Sequence, residues 1–382
     1  MNPLPDYFGP PFPRPFASIL NSRQNKMPRG FEPWVEMTLD AAKHIAKSGL
    51  TALTSLGTHP WNLAVWAISE FGGAQIIVLP KFADEHSEKI VDNTILNFSL
   101  NPEKTAFILY PTQVSASLPK HAWLERDRII FETSNAFFPV SLRPKGNMES
   151  NLENALNLGK AVDSRFGCKY APAKPLRMPQ IELSSLGNQL APESWDYLTH
   201  WTRSFATPWP DETLADFYRG IVNSEGDYAR SALASLRRII SDQRVFAGDE
   251  HARRGERFAS FTELPPAEAI KLMKWNPRQM RYTFEPYGIA IRRNAAEKFG
   301  IKKVVYGTEY DYQHISDSEK PFFQISGKGN WNREAEWRFL GDVTLADFSR
   351  DDLLLIVVKK EDENQLPKGH GIRVISLHNR VR

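Results

Sequence analysis

Between Leu50 and Leu79 the chain follows a pattern that few folds accommodate. An apolar run at Leu50–Thr54 leads into the small-residue turn Ser55-Leu56-Gly57-Thr58-His59-Pro60. An apolar helical stretch at Trp61–Glu70 follows, then Gly72-Gly73, then a second apolar run at Gln75–Leu79. Two short, mainly apolar strands joined through a helix make the βαβ unit of an open parallel sheet. The neighbouring segments extend it. Met37–Lys47 has helical period, Thr105–Tyr110 and Phe138–Leu142 supply further strands, and helical Leu152–Val162 closes the domain.

Flanking this unit, residues 1–33 are Pro-rich with scattered aromatics and read as an extended arm. Residues 167–194, GCKYAPAKPLRMPQIELSSLGNQLAPES, keep no period and read as a linker. Beyond it come helical Leu214–Val222 and Tyr228–Gln243. Short strand-like runs follow at Arg257–Thr262, Tyr287–Arg292, Lys303–Tyr306, Glu336–Leu340, Leu353–Val358 and Gly371–Ser376. Helices followed by a run of strands indicate an α+β domain with a largely antiparallel sheet. The expected organisation is an arm (1–33), an α/β domain (34–166), a linker (167–194) and an α+β domain (195–382).

A length of 382 residues suits two hydrophobic cores. The formal net charge of +3 excludes a strongly basic tail but leaves room for a local basic patch. One cysteine, Cys168, forms no internal disulfide, which fits a reducing compartment. No apolar stretch reaches the roughly 18 residues of a membrane helix. The first residues lack the order of a secretion signal, so cytoplasm is the expected location and no membrane partner is expected. The nine histidines are dispersed without HExxH spacing, so no metal is expected. There is no Walker A sequence and no Gly-x-Ser-x-Gly elbow.

The turn at Ser55 and Gly57 lets a backbone approach a ligand, and a following helix N-terminus favours an anion. The same residues also make a plain strand-to-helix turn. The wider stretch TSLGTHPWNLAVWAISEFGGAQIIVLP resembles the DNA-processing protein A branch of the Rossmann-like SLOG superfamily. Lys120-His121-Ala122-Trp123-Leu124-Glu125-Arg126-Asp127-Arg128 resembles that family's arginine-bearing segment. The resemblance spans roughly residues 37–160. It departs at His59-Pro60-Trp61, where the family has an acidic residue, and at Gly146–Leu152, where a Ser-Gly turn is missing. It implies a Rossmann-like domain holding a nucleotide or DNA phosphate through Ser55, Gly57, Arg126 and Arg128. The alternative is a structural domain whose arginines pair with local acids.

Four polar motifs mark the second half: Leu198-Thr199-His200-Trp201-Thr202-Arg203, Ala259-Ser260-Phe261-Thr262-Glu263, Glu285-Pro286-Tyr287-Gly288-Ile289-Ala290-Ile291, and Trp331-Asn332-Arg333-Glu334-Ala335-Glu336-Trp337-Arg338-Phe339. On a strand, Glu334, Glu336 and Arg338 share one face, with Trp337 and Phe339 toward the core. Two carboxylates and a guanidinium can stabilise a cation and orient a hydroxyl; the same pattern also makes a surface ion pair. His200 and Thr202 share a face if extended, as do Ser260 and Thr262, with Phe261 opposite. A satisfied structural histidine and an ordinary amphipathic strand are the competing readings.

Together these motifs resemble the scattered signature of ADP-ribosyltransferase folds. Residues 257–340 also resemble, in order and content, the uncharacterised bacterial family DUF2971, which carries no known chemistry. The transferase resemblance implies NAD as substrate. His200 and Thr202 would hold the nicotinamide-side ribose, Arg203 the pyrophosphate, and Ser260 and Phe261 the nicotinamide. Glu336, or its neighbour Glu334, would stabilise the oxocarbenium-like transition state, with Thr262, Tyr287 and Arg338 lining the substrate. Separately, Arg230 and Arg237 lie seven residues apart and Arg244 follows at the same spacing, so on a helix they stack into a phosphate track or a solvated face; Arg253, Arg254 and Arg257 follow. The expected function is an enzyme acting on a nucleotide or nucleic-acid base, by ADP-ribosyl transfer from NAD. The rivals are an NAD-independent hydrolase or hydratase of a modified DNA base, and a non-catalytic nucleotide sensor in phage defence.

Overall fold

The structure, a computed structural model, describes residues 5–378 apart from 84, 114–118, 175–176, 183–185, 187–189, 191–193, 225, 249–254, 278–280 and 327–330, with the backbone alone at 119, 120, 331 and 332. The chain divides into two compact units and crosses between them three times. One unit comprises Met1–Leu176 with Ala206–Ala229, the other Arg177–Phe205 with Arg230–Arg382.

The first unit is built on a seven-stranded sheet. Its strands are β1 (Asp6–Phe8), β2 (Phe16–Asn21), β3 (Thr51–Ser55), β4 (Ala74–Lys81), β5 (Thr105–Pro111), β6 (Ala136–Ser141) and β7 (Ala161–Val162). They lie in the order β1-β5-β4-β3-β2-β6-β7. All pairs are parallel except β1 with β5. Helices α1 (Pro33–Lys47), α2 (His59–Glu70), α3 (Ser87–Phe98), α4 (Trp123–Thr133), α5 (Asn147–Asn157) and α6 (Leu214–Val222) accompany it. Every residue of β2 and β3 is buried, as a parallel strand covered on both faces requires. Proline in the first turn of α1 and of α2 presets φ where no intrahelical N–H bond is lost.

Three expectations are corrected here. The Pro-rich segment is not an unpacked arm, because Phe16-Ala17-Ser18-Ile19-Leu20-Asn21 between its prolines forms the buried strand β2 between β3 and β6. Residues Ala206–Ala229 join the first unit, where Phe217, Tyr218 and Ile221 of α6 enter the core with Trp34, Trp66 and Phe98. Their apolar face is complementary to that core, which a division by chain order does not register. The expected linker is also partly packed. The Cys168 N–H bonds the Val140 carbonyl at 2.7 Å, and Met178, Ile181 and Leu190 join a core of the second unit.

The second unit contains β8 (Tyr197–Trp201), β9 (Arg244–Val245), β10 (Phe258–Thr262), β11 (Trp275–Asn276), β12 (Arg281–Tyr282), β13 (Gly288–Arg292), β14 (Lys302–Lys303), β15 (Val305–Gly307), β16 (Phe323–Ile325), β17 (Glu336–Leu340), β18 (Val343–Thr344), β19 (Leu353–Val357) and β20 (Arg373–Ser376). Seven of them form one sheet in the order β14-β17-β10-β8-β13-β19-β20, antiparallel except at β19–β20. Strands β15 and β16 make a separate parallel pair. Helices α7 (Ala232–Ser241), α8 (Pro266–Leu272), α9 (Arg293–Phe299) and α10 (Glu309–His314) complete the unit.

The register of this sheet fixes two faces. Leu198, Phe261, Ile289, Ile291, Trp337, Leu353 and Leu355 alternate onto one, in a core shared with Leu233, Leu236, Ile239 and Ile240 of α7. Trp201, Ala290, Leu354 and Ile356 alternate onto the other, against Ala269 and Met273. Among the described residues no helix is long and apolar enough to cross a membrane.

Candidate active site

Strands β10 and β17 pair Ser260 with Arg338 and Thr262 with Glu336, which places these four side chains on one face of the sheet. That face is the one shared with Trp201, opposite Phe261 and Trp337. Arg338 donates through Nε to Glu336 Oε1 and through Nη2 to Oε2, both at 2.9 Å. Ser260 Oγ donates to Glu336 Oε1 at 2.8 Å. Arg338 also reaches the Pro321 carbonyl and Gln324 Oε1, each at 3.0 Å, and lies 4.3 Å from the Phe258 ring centroid. The guanidinium is thus almost saturated and 6% exposed, so it orients Glu336 rather than reaching a substrate. A carboxylate offers about four acceptor positions. Among the described residues three of those on Glu336 are occupied and one is left.

Glu334 does not share the strand. It ends the 3-10 turn Trp331–Glu334, and Ala335 adopts a left-handed φ of 44° before β17 begins. The expected one-face alternation of Glu334 with Glu336 and Arg338 is therefore broken at Ala335, since alternation needs extended backbone on both sides. The two carboxylates nevertheless interact. Burial, reinforced by the like charge of Glu336, pushes the Glu334 carboxyl up to about 7, against a smaller lowering by Arg338. Thr262 braces this turn, its Oγ1 donating to the Glu334 carbonyl at 2.5 Å and accepting from the Leu264 N–H at 3.1 Å. Each hydroxyl of the Ser-Phe-Thr strand therefore holds one of the two glutamates.

Two further residues enter the cluster with no local signal in the sequence. Gln324 on β16 accepts from Arg338, and Tyr306 on β15 is its register partner. Burial, followed by the Glu336 charge, pushes the Tyr306 phenol up to about 12.

Other expected site residues lie elsewhere. His200 is opposite Ile289 across β13, and its ring meets Phe261 edge-on at 5.7 Å, so it belongs to the α7 face, away from Glu336. Its Nδ1 donates to the Ser260 carbonyl at 2.8 Å, and burial, with the Arg203 charge adding to it, lowers its pKa. Phe261 is core on that same face. The Thr202 hydroxyl is shared between the carbonyls of Ala232 (2.8 Å) and Tyr287 (2.9 Å). Tyr287 packs against the α7-side core and donates to Asp362 Oδ2 at 3.3 Å. Arg203 lies 5.2 Å from the Phe205 ring centroid. His200, Ser260 and Glu336 thus fail to share a face, because the strand register sets His200 beside Phe261 rather than Ser260.

In the first unit, Ser55 Oγ donates to the Val78 carbonyl at 2.7 Å inside the sheet. Gly57 has φ +105°, and a Cβ there would lie 3.2 Å from the Trp123 ring; its N–H is taken by Asn62 Oδ1 at 3.1 Å. Arg126 is 3% exposed, bonds Asp127 and the Leu56 carbonyl, and stacks near Trp61 and Trp123. It braces the glycine turn from behind. Arg128 is exposed and paired with Glu125 and Glu132 along α4. These four expected ligand contacts are engaged within the protein, because each has a nearer partner than solvent. The arginine ladder also fails to form. Helix α7 begins at Ala232, Arg230 precedes it and is 5% exposed, and Arg244 stands on β9, 3.5 Å from Asp342. Only Arg237 is an exposed helical residue of the three. Arg257 donates to the Ala247 carbonyl, and Arg253 and Arg254 lie outside the described residues.

Among the described residues no group of three or more His, Cys, Asp or Glu is arranged to hold a metal ion. No known family's profile matches the chain, and no curated protein matches it. Solved structures of the molybdenum cofactor carrier protein from Chlamydomonas reinhardtii are similar in part. One is 20% identical, covers 39% of this chain and 75% of its own, and has a TM-score of 0.26. Another is 18% identical, covers 39% and 74%, and has a TM-score of 0.25. A likeness at that score carries no argument about fold or function.

Proposed function

We propose that this chain is an enzyme acting on a nucleotide or nucleic-acid base, with its chemistry at the Glu334–Glu336 pair and NAD as the donor of ADP-ribose. The first unit, in this reading, is Rossmann-like and binds nucleotide or DNA. One observation carries the catalytic part: two neighbouring carboxylates have opposite environments, Glu336 clamped by Arg338 and Ser260, Glu334 half-buried with no ion pair among the described residues and pushed up to about 7. Carboxyls driven apart in this way divide into a fixed charge and a proton carrier.

In transfer from NAD, the bond between ribose C1′ and the nicotinamide nitrogen breaks, and its electron pair leaves with neutral nicotinamide. The anionic Glu336 side stabilises the cationic sugar, and its remaining acceptor position takes one ribose hydroxyl. The acceptor oxygen or nitrogen bonds C1′ and gives its proton to ionised Glu334. The roles of His200, Thr202 and Phe261 in the transferase analogy do not enter this scheme, since they occupy the other face of the sheet.

Nicotinamide release from NAD by the purified full chain, with and without single-stranded DNA, tests the reading. Release is expected, falling at least a hundredfold in Glu336→Gln and in Glu334→Gln while His200→Ala retains it. No release under any of these conditions would overturn the NAD reading.

A further inference from the structure

In the first unit an indole stands against the glycine turn that the sequence marks for a ligand. Gly57 is exposed and turns β3 into α2 with φ +105°. Trp123, half-buried and the first residue of α4, lays one ring edge against it, so that a Cβ on Gly57 would lie 3.2 Å from Cζ2 and 3.3 Å from Cε2 and Nε1. Two guanidiniums attend the same ring, Arg126 at 5.3 Å and Arg23 at 5.4 Å from its centroid. Arg126 is fixed by Asp127 and by the Leu56 carbonyl of the turn. Arg23 is exposed on the loop after β2 and makes no ion pair among the described residues. Lys26 follows on that loop, its carbonyl accepting from Nε2 of His59, the first residue of α2, at 2.8 Å. The first turn of α2 carries no acid, and Thr58 before it makes no side-chain cap bond.

We infer that Trp123 is an autoinhibitory plug: its indole holds the place of a purine ring beside Gly57, and a purine nucleotide enters by displacing it. The inference rests on the reading that the first unit binds nucleotide, and it names the regulation of that site. Indole and purine share a fused bicyclic outline and a flat π face, and either stacks on a guanidinium. The glycine lets a ring approach the backbone, where a side chain would push it away. Once the indole swings out, the phosphate meets Arg23, Lys26 and the uncapped first turn of α2. Displacement needs only a side-chain rotation at the surface. The helix behind it stays in place, with Ile130 and Phe131 in the core and the Ala122 carbonyl held by the Tyr110 hydroxyl at 2.7 Å. The plug also accounts for a turn whose own groups are engaged within the protein.

Isothermal titration of the full chain with GMP tests this, guanine keeping the probe apart from the NAD reading of the second unit. GMP is expected to bind Trp123→Ala and Trp123→Leu at least tenfold more tightly than wild type, since a plug lowers the apparent affinity by the fraction of time it is out. Adding Arg23→Ala to Trp123→Leu is expected to weaken GMP at least tenfold. In wild type labelled with fluorotryptophan, saturating GMP is expected to move the fluorine resonance of Trp123 toward its position in the unfolded chain, a readout that stands even if neither Trp123 variant folds. Equal GMP affinity in wild type and folded Trp123 variants, full affinity in the Arg23 double variant, or a Trp123 resonance unmoved by bound GMP overturns the inference alone and leaves a nucleotide site elsewhere. GMP binding by no form overturns it as well. Single-stranded DNA binding in those samples then keeps the first unit as a DNA binder, and binding of neither sinks that reading too.

Discussion

Replacing Glu334 by Gln should stabilise the second unit in a way that depends on pH. Burial and the Glu336 charge raise the carboxyl from 4.5 to about 7. A raised carboxyl binds its proton more tightly in the folded state. Its contribution is therefore fully present below the unfolded value and is lost as pH climbs through the folded one. Across that window the loss is about 1.4 kcal/mol per pH unit, or about 3 kcal/mol in all. Gln keeps the shape and has no charge to desolvate. The variant should match wild type at pH 4 and exceed it by up to about 3 kcal/mol at pH 8, roughly 6–12 °C in Tm for a unit of this size. Differential scanning calorimetry from pH 4 to pH 8 measures it. A difference between the two proteins that stays constant over this range would refute the placement of Glu334 in a buried, like-charged setting.

Arg338→Met should destabilise the second unit by about 2–4 kcal/mol, because Glu336, its side chain only 15% exposed, is left without its cation; Arg338→Met combined with Glu336→Leu should recover most of that, as read by denaturant unfolding. Ala335→Gly should stabilise by roughly 0.5–1 kcal/mol, since the left-handed backbone at φ 44° costs an L-residue more than glycine's extra chain entropy. His59 donates to the Lys26 carbonyl and accepts from the Tyr218 hydroxyl, each at 2.8 Å, and burial lowers its pKa to about 4. The unfolded chain then takes up a proton first on acidification, so the first unit should lose about 3 kcal/mol between pH 6.5 and pH 4, and His59→Gln should flatten that slope in the same calorimetric series.

The parallel sheet was legible because its strands are apolar on both faces and its helices carry helical period, which local sequence records directly. Strand β2 was not, since only six residues stand between prolines and nothing local shows that β3 and β6 will cover them. In the second unit, the Ser-Phe-Thr and Glu-x-Glu-x-Arg motifs did point to residues that converge: Ser260 and Thr262 hold the two glutamates, and Arg338 clamps one of them. Their geometry was not legible, because a left-handed alanine leaves no mark on the sequence. Alternation along one strand says which residues share a face, but register against the next decides which face. That is why His200 fell beside Phe261 instead of Glu336. Gln324 and Tyr306 carry no motif of their own, and only the pairing of β15 with β16 sets them side by side next to Arg338.

A crystal structure with ADP-ribose bound tests most directly whether the chemistry lies on the Ser260–Glu336 side of the sheet. The expected result is a terminal ribose within hydrogen-bond distance of Glu336, beside the Glu334 carboxyl. Sugar density against His200 and Phe261 on the opposite side, with the Glu334–Glu336 pair untouched, would contradict it.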